Sequence, residues 1–119
     1  MQVTERQEQG ATVVDLEGRF DFGSRREFKE SMERLGEAGG RHIILNLGKV
    51  SFVDSSALGL LVVAHQNLKL KQGRISMVNP QTYVRQILEL ANVPKMIPVY
   101  PSLQDALAGT SAPAAAVTS

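Results

Sequence analysis

The spacing of apolar residues changes along the chain, and each change marks a predicted element. On either side of Gly10, segments 2–9 and 11–20 place isolated apolar side chains among polar ones, which is typical of two strands joined by a tight turn. Three further apolar runs predict strands: "HIILNL" (42–47), "RISMVN" (74–79) and "MIPVY" (96–100). The first of these is continuously aliphatic, as in a strand buried on both faces, and Pro98 places the last one at a sheet edge.

Four segments have helical spacing or helical end signals. In the first, Phe28, Met32 and Leu35 share one face, and Ser24 stands three residues before a glutamate, the spacing of a capping box. The other three are 57–72 before Gly73, a segment after Asn79 and Pro80 as N-cap and first helical residue, and 102–109 with Ser102 and Asp105 as its cap pair. This order predicts an α/β fold: one mixed sheet of about five strands packed with about four helices. The predicted domain covers residues 1–108, and 109–119 is predicted to be a disordered tail.

Composition limits the possible functions. The chain has 119 residues, of which 43% are hydrophobic and 21% charged, the proportions of one soluble domain with an aliphatic core. Thirteen basic residues nearly balance twelve acidic ones and there is no Trp, so a nucleic-acid surface is not expected. The absence of Cys excludes disulfides and thiolate metal sites. No apolar run approaches the ~18 residues of a membrane span and the N-terminus has no secretory signal, so we expect a cytoplasmic protein.

The most informative stretch is "VSFVDSSALGLLV" (50–62), where Asp54, Ser55 and Ser56 stand between a strand pattern and a helix pattern. Any of the three side chains could accept a hydrogen bond from a free amide of the first helical turn, which is the ordinary role of such residues. A helix N-terminus is also a favourable place for a phosphate group, because free amides and the helix dipole both attract an anion. Because the buried strand delivers the chain to the carboxyl end of the sheet, we expect Ser55 to be exposed and chemically accessible.

"GRFD" (18–21), "ILNLGKVSFVDSSALG" (44–59) and the order of elements resemble a STAS domain of the anti-sigma-factor antagonist family. The resemblance implies that Ser55 is phosphorylated by an anti-sigma factor with serine kinase activity and dephosphorylated by a metal-dependent serine phosphatase. It further implies that the unphosphorylated form binds the anti-sigma factor, so that the sigma factor is released. The implied partner-contacting residues are Asp21, Asp54, Ser56, Leu58 and Gly59. Ala57 stands where the family usually has glycine, which puts partner identity in doubt.

Three other interpretations compete with this one. In a receiver domain, Asp54 itself would be phosphorylated. Such a domain needs an acidic pair at the end of its first strand to hold a divalent cation, whereas Asp15 and Glu17 lie inside a predicted strand. A serine hydrolase would need a histidine near Ser55, and neither histidine has that placement. A STAS scaffold, or a soluble accessory subunit of a transporter or signalling complex, would use the same surface without modification. We expect no catalysis, cofactor or metal, and the oligomeric state is open, with a monomer as the default.

Overall fold

The computed structural model describes residues 1–39 and 41–111. The strands are β1 (Gln2–Glu8), β2 (Ala11–Phe20), β3 (His42–Val53), β4 (Arg74–Val78) and β5 (Val99–Tyr100). The helices are α1 (Arg25–Glu37), α2 (Ser55–Leu70), α3 (Thr82–Leu90) and α4 (Leu103–Ser111). Short 3₁₀ turns cover Phe22–Ser24 and Val93–Lys95. The predicted class, a mixed five-stranded sheet with four helices, is confirmed.

The five strands form one sheet in the order β1-β2-β3-β4-β5. β1 runs antiparallel to β2, as the hairpin pattern predicted, and the remaining neighbours are parallel. β5 pairs only at Val99 and Tyr100 and forms an edge, directly after Pro98. β3 is twice as long as the aliphatic run that predicted it, because pairing with β2 continues past Gly48 through two register shifts. The extension carries the chain to the start of α2.

Helices cover both faces of the sheet unequally. The larger apolar cluster joins the sheet to the buried faces of three helices, with Phe28 from α1, Leu61 from α2 and Val84 from α3. The smaller cluster lies under α4 and includes Ile44 and Ala106. α2 therefore lies on the three-helix face and starts at the carboxyl end of the central strand. Within the described ranges, no helix has both the length and the apolar character needed to cross a membrane.

The predicted start of α1 is confirmed in position, since Ser24 is its N-cap residue, but the predicted capping hydrogen bond is not formed. The predicted start of α3 is wrong. The Ser24 hydroxyl does not cap α1: it donates to the Arg19 carbonyl at 2.7 Å and to the Asp21 carboxylate at 3.0 Å. Asn79 does not cap α3 either, because it adopts a left-handed conformation (φ 57°) and its N–H bonds to the Tyr100 carbonyl at the end of the sheet. α3 instead begins at Thr82. Ser24 thus bonds to the end of β2 and Asn79 to β5, and neither side chain caps its helix.

The predicted cap of α4 is confirmed, since the Asp105 N–H donates to the Ser102 hydroxyl at 3.2 Å. α4 continues to Ser111, so the tail prediction is wrong for residues 109–111, which extend this helix. The rest of the predicted tail, residues 112–119, lies outside the described residues.

Candidate functional site

Ser55 is the first residue of α2 and is exposed, as expected. The adjacent Ser56 is half-buried. Within residues 1–39 and 41–111, neither hydroxyl makes an intramolecular hydrogen bond, so both remain available to a reaction partner. The strand-to-helix junction therefore presents the Ser55 hydroxyl, without an intramolecular hydrogen bond, at the N-terminus of the sixteen-residue helix α2.

Asp54 is the residue that caps α2. Its backbone is extended (φ −119°, ψ −176°), and its Oδ1 accepts a hydrogen bond from the Ala57 N–H at 2.9 Å. Of the three residues that the sequence offered as caps, this geometry selects Asp54 rather than Ser55 or Ser56. Because the cap satisfies one free amide of the first turn, it leaves the serine side chains free of that structural task.

The second oxygen of Asp54 joins α2 to the connection between β2 and α1. Oδ2 accepts from the Phe22 N–H at 3.1 Å, across 32 residues of sequence, and the Asp54 N–H bonds to the Phe20 carbonyl at 3.4 Å. One carboxylate thus fixes both the helix start and the neighbouring loop. We call this pair of hydrogen bonds from Ala57 and Phe22 the Asp54 clasp.

Asp21 lies in the same loop, one residue before Phe22, so the structure brings the two predicted acidic residues to one edge of the sheet. Its carboxylate accepts from the Ser24 hydroxyl at 3.0 Å and from Arg19 at 3.3 Å. The Ser24 hydrogen bond and the Arg19 guanidinium hold the pKa of Asp21 below its usual value. Asp21 is therefore an anion that is also held in place by its own loop.

The remaining predicted contact residues differ in accessibility. Leu58 is half-buried and packs against the larger core cluster. Gly59 is exposed, and a Cβ there would meet no atom within 4 Å. Ala57 is 0% exposed, which means that the methyl group replacing the family glycine points into the core. The concern that this methyl would obstruct a partner is therefore not supported.

Sequence reasoning missed an aromatic and cationic part of the site. Phe22 is 59% exposed beside the Asp54 clasp. The Arg25 guanidinium lies 3.8 Å from its ring centroid and donates to its carbonyl at 2.8 Å. Arg19 lies 4.1 Å from the ring centroid of Phe52 on β3. The sequence places Arg19 within "GRFD" and Phe22 directly after it, but the resemblance implied a role for Asp21 alone.

Both histidines lie in other surroundings. His42 is buried at the start of β3, where its Nε2 lies 2.8 Å from the Ser76 hydroxyl. Burial lowers the pKa of His42 to about 4, with a smaller contribution from Arg74. His65 lies three turns into α2 and burial lowers its pKa as well. Neither forms a hydrogen bond with Ser55, and in the described part of the chain no three His, Asp or Glu side chains are grouped to hold a metal.

The acidic residues considered for a receiver domain, Asp15 and Glu17, lie within β2 rather than at the strand-to-helix junction. Asp15 bonds to Arg6 at 2.8 Å and to Asn46 at 2.7 Å, and these bonds hold its pKa below the usual value. The Asp15 carboxylate therefore links β2 to Arg6 on β1 and to Asn46 on β3.

Comparison with known proteins decides the family. A family model described as "STAS domain" matches residues 2–106, most of the chain. The chain belongs to the STAS domain family. A STAS-domain-containing protein of Pseudomonas aeruginosa is 30% identical over 87 residues, which cover 73% of this chain and 85% of the relative. An anti-sigma F factor antagonist of Paenibacillus polymyxa is 25% identical over 108 residues, covering 90% and 92%.

Solved structures agree on the fold of this STAS domain. The anti-sigma factor antagonist SpoIIAA in its unphosphorylated form superposes with a TM-score of 0.77 at 19% identity, covering 93% of this chain and 97% of that one. The phosphorylated form of SpoIIAA from Bacillus gives a TM-score of 0.70 at 20% identity, with coverages of 92% and 99%. The resemblance to STAS antagonists stated from the sequence is confirmed at the level of family and fold.

Proposed function

We propose that this STAS domain is an anti-sigma-factor antagonist whose binding is switched by phosphorylation of Ser55. In the unmodified form it binds an anti-sigma factor with serine kinase activity, and the sigma factor is released. Phosphorylation abolishes this binding, and a metal-dependent serine phosphatase restores it. The relatives named as antagonists support the partner class, and the existence of SpoIIAA structures in two phosphorylation states supports the type of switch.

The observation that carries the proposal is the exposed, unbonded hydroxyl of Ser55 on the first turn of α2. Phosphorylation adds about −1.5 to −2 charge, which turns a formal net charge of +1 slightly negative and concentrates the change on one patch. The helix N-terminus accommodates this charge without refolding. A partner with acidic or desolvated groups opposite Ser55 is then rejected by repulsion and by the cost of desolvation.

The proposed contact patch comprises Asp21, Ser56, Leu58 and Gly59 around Ser55. Ser56 and Gly59 are accessible to a partner, whereas Leu58 offers only its half-exposed edge. Asp54 belongs to the patch chiefly through the Asp54 clasp, since both of its oxygens already accept hydrogen bonds. In this proposal the protein is a cytoplasmic substrate and binding module without catalysis of its own.

The test is reconstitution with the anti-sigma factor of the same organism and Mg-ATP, followed by phosphopeptide mapping. We expect the label on Ser55, its loss in Ser55→Ala and its retention in the matched control Ser56→Ala. An acid-labile label on Asp54 would support the receiver alternative instead. If Ser55→Ala and Ser55→Asp bind the anti-sigma factor equally well, the protein is a scaffold without a switch.

A further inference from the structure

An open apolar groove of about 740 Å³ runs between α1 and α2. It begins beside Phe22 and Ser56 at the start of α2 and extends to Leu70 at its end. Three large apolar side chains along it are strongly exposed: Phe22 at 59%, Val63 at 51% and Leu70 at 84%. A continuous exposed apolar surface of this kind is typical of an interface.

Four charged residues of α1 line the same groove at four-residue intervals. They are, in order, Arg25, Lys29, Glu33 and Glu37, and all four are exposed. In the part of the chain that the structure describes, none of them forms an ion pair. We call this set the α1 charge stripe.

The α1 charge stripe changes sign along the helix. Arg25 and Lys29 stand toward the N-terminal end of α1, and Glu33 and Glu37 toward its C-terminal end. The groove is therefore lined by basic residues at one end of α1 and by acidic residues at the other.

The α1 charge stripe is complementary to a second copy of itself when the two helices run antiparallel. Arg25 then faces Glu37 of the second copy, and Lys29 faces Glu33, because both pairs are symmetric about position 31. A two-fold axis produces this antiparallel arrangement. Lys71 also lines the acidic end of the groove, so the net charge of that end is −1 and that of the basic end is +2. The two ends therefore still attract each other.

The apolar surface has the same symmetry. Phe22 lies at the basic end of the groove and Leu70 at the acidic end. Under the same two-fold axis, Phe22 of one copy therefore covers Leu70 of the other, twice per pair. Burial of these side chains supplies the main attraction, and the charges select the orientation.

We propose that two copies of this chain associate through the groove between α1 and α2, about a two-fold axis beside the middle of α1. This departs from the default expectation of a monomer. It does not depend on phosphorylation, but it covers Ser56 and Gly59, so the homodimer and a partner at the proposed contact patch exclude each other.

The test measures the molar mass of the purified protein by sedimentation equilibrium from micromolar to millimolar concentration, without any kinase. We expect the wild type to form a dimer. Arg25→Glu/Lys29→Glu makes the stripe wholly acidic, Glu33→Lys/Glu37→Lys makes it wholly basic, and each variant alone should be monomeric. An equimolar mixture of the two variants should form a heterodimer. A single chain that carries all four substitutions should form a homodimer again. Arg26→Glu, which changes an exposed charge on α1 outside the groove, is the matched control and should not alter association.

A wild-type monomer at millimolar concentration would overturn the proposal and leave the groove to a different protein. A dimer that survives in both charge variants would overturn it too, because another surface would then hold the copies together. Failure of the mixture to recover the dimer, with both variants folded by circular dichroism, would contradict the antiparallel pairing. None of these results bears on labelling of Ser55, so the two proposals fail separately.

Discussion

The Asp54 clasp makes a quantitative prediction that separates its two hydrogen bonds. Asp54→Ala removes the acceptor of the Ala57 N–H at 2.9 Å and of the Phe22 N–H at 3.1 Å. Loss of an N-cap costs about 1 kcal/mol. The exposed bond to Phe22 adds a few tenths, so we expect Asp54→Ala to lower the free energy of unfolding by about 1–1.5 kcal/mol. Asp54→Ser keeps a capping oxygen but is too short for Phe22, and should lose only about 0.5 kcal/mol.

Urea unfolding followed by circular dichroism measures both values, and the midpoint for Asp54→Ala should fall by about 0.5–1 M. Amide hydrogen exchange then assigns the loss to individual bonds. In Asp54→Ser, protection of the Ala57 amide should persist while that of the Phe22 amide falls. The reasoning is refuted if Asp54→Ala is as stable as the wild type, or if Asp54→Ser is destabilised as much as Asp54→Ala.

Three further predictions concern stability. The folded-state pKa of His42, about 4, lies below its usual value of about 6.5, so protonation favours the unfolded chain. The stability contributed by neutral His42 should be fully present above pH 6.5, and the free energy of unfolding should fall by ~3 kcal/mol as the pH drops to 4. Urea unfolding at several pH values measures this dependence, which should be weaker in His42→Gln. Gly59→Ala should raise the unfolding free energy by about 0.5–1 kcal/mol, because the position is helical and a Cβ there meets open space; a destabilised variant in the same assay would contradict this. Phe20→Ala should cost about 3–5 kcal/mol in thermal or urea unfolding, since Phe20 is buried and its ring centroid lies 4.9 Å from that of Phe28; a loss below about 1 kcal/mol would show that the core collapses around the gap.

Elements with a strong local pattern could be predicted from the sequence. The aliphatic start of β3 and the apolar face of α1 gave the correct structure, because burial of these side chains dominates their energetics. The exposure of Ser55 followed in the same way from a buried strand leading into a helix. The identity of the cap did not follow, because Asp54, Ser55 and Ser56 can all accept the bond and the backbone angles at residue 54 decide between them.

Contacts between distant segments could not be predicted. The bond from Phe22 to Asp54 spans 32 residues, and no local pattern marks either partner. Ser24 has the spacing of a capping box, yet the Arg19 carbonyl competes for its hydroxyl. Asn79 and Pro80 read as a helix start, yet Asn79 closes the sheet against Tyr100. At Ser24 a bond to the end of β2, and at Asn79 a bond to β5, replaces a capping preference of about 1 kcal/mol.

The central claim is that charge at one hydroxyl decides whether the partner binds. Its most direct test is titration calorimetry of the anti-sigma factor with two preparations, one unmodified and one carrying phosphoserine installed at position 55 during translation. The account predicts that the unmodified protein binds and that phosphoserine weakens binding by at least about tenfold, equivalent to 1.4 kcal/mol, with an unchanged circular dichroism spectrum. Equal affinity of the two preparations would contradict it.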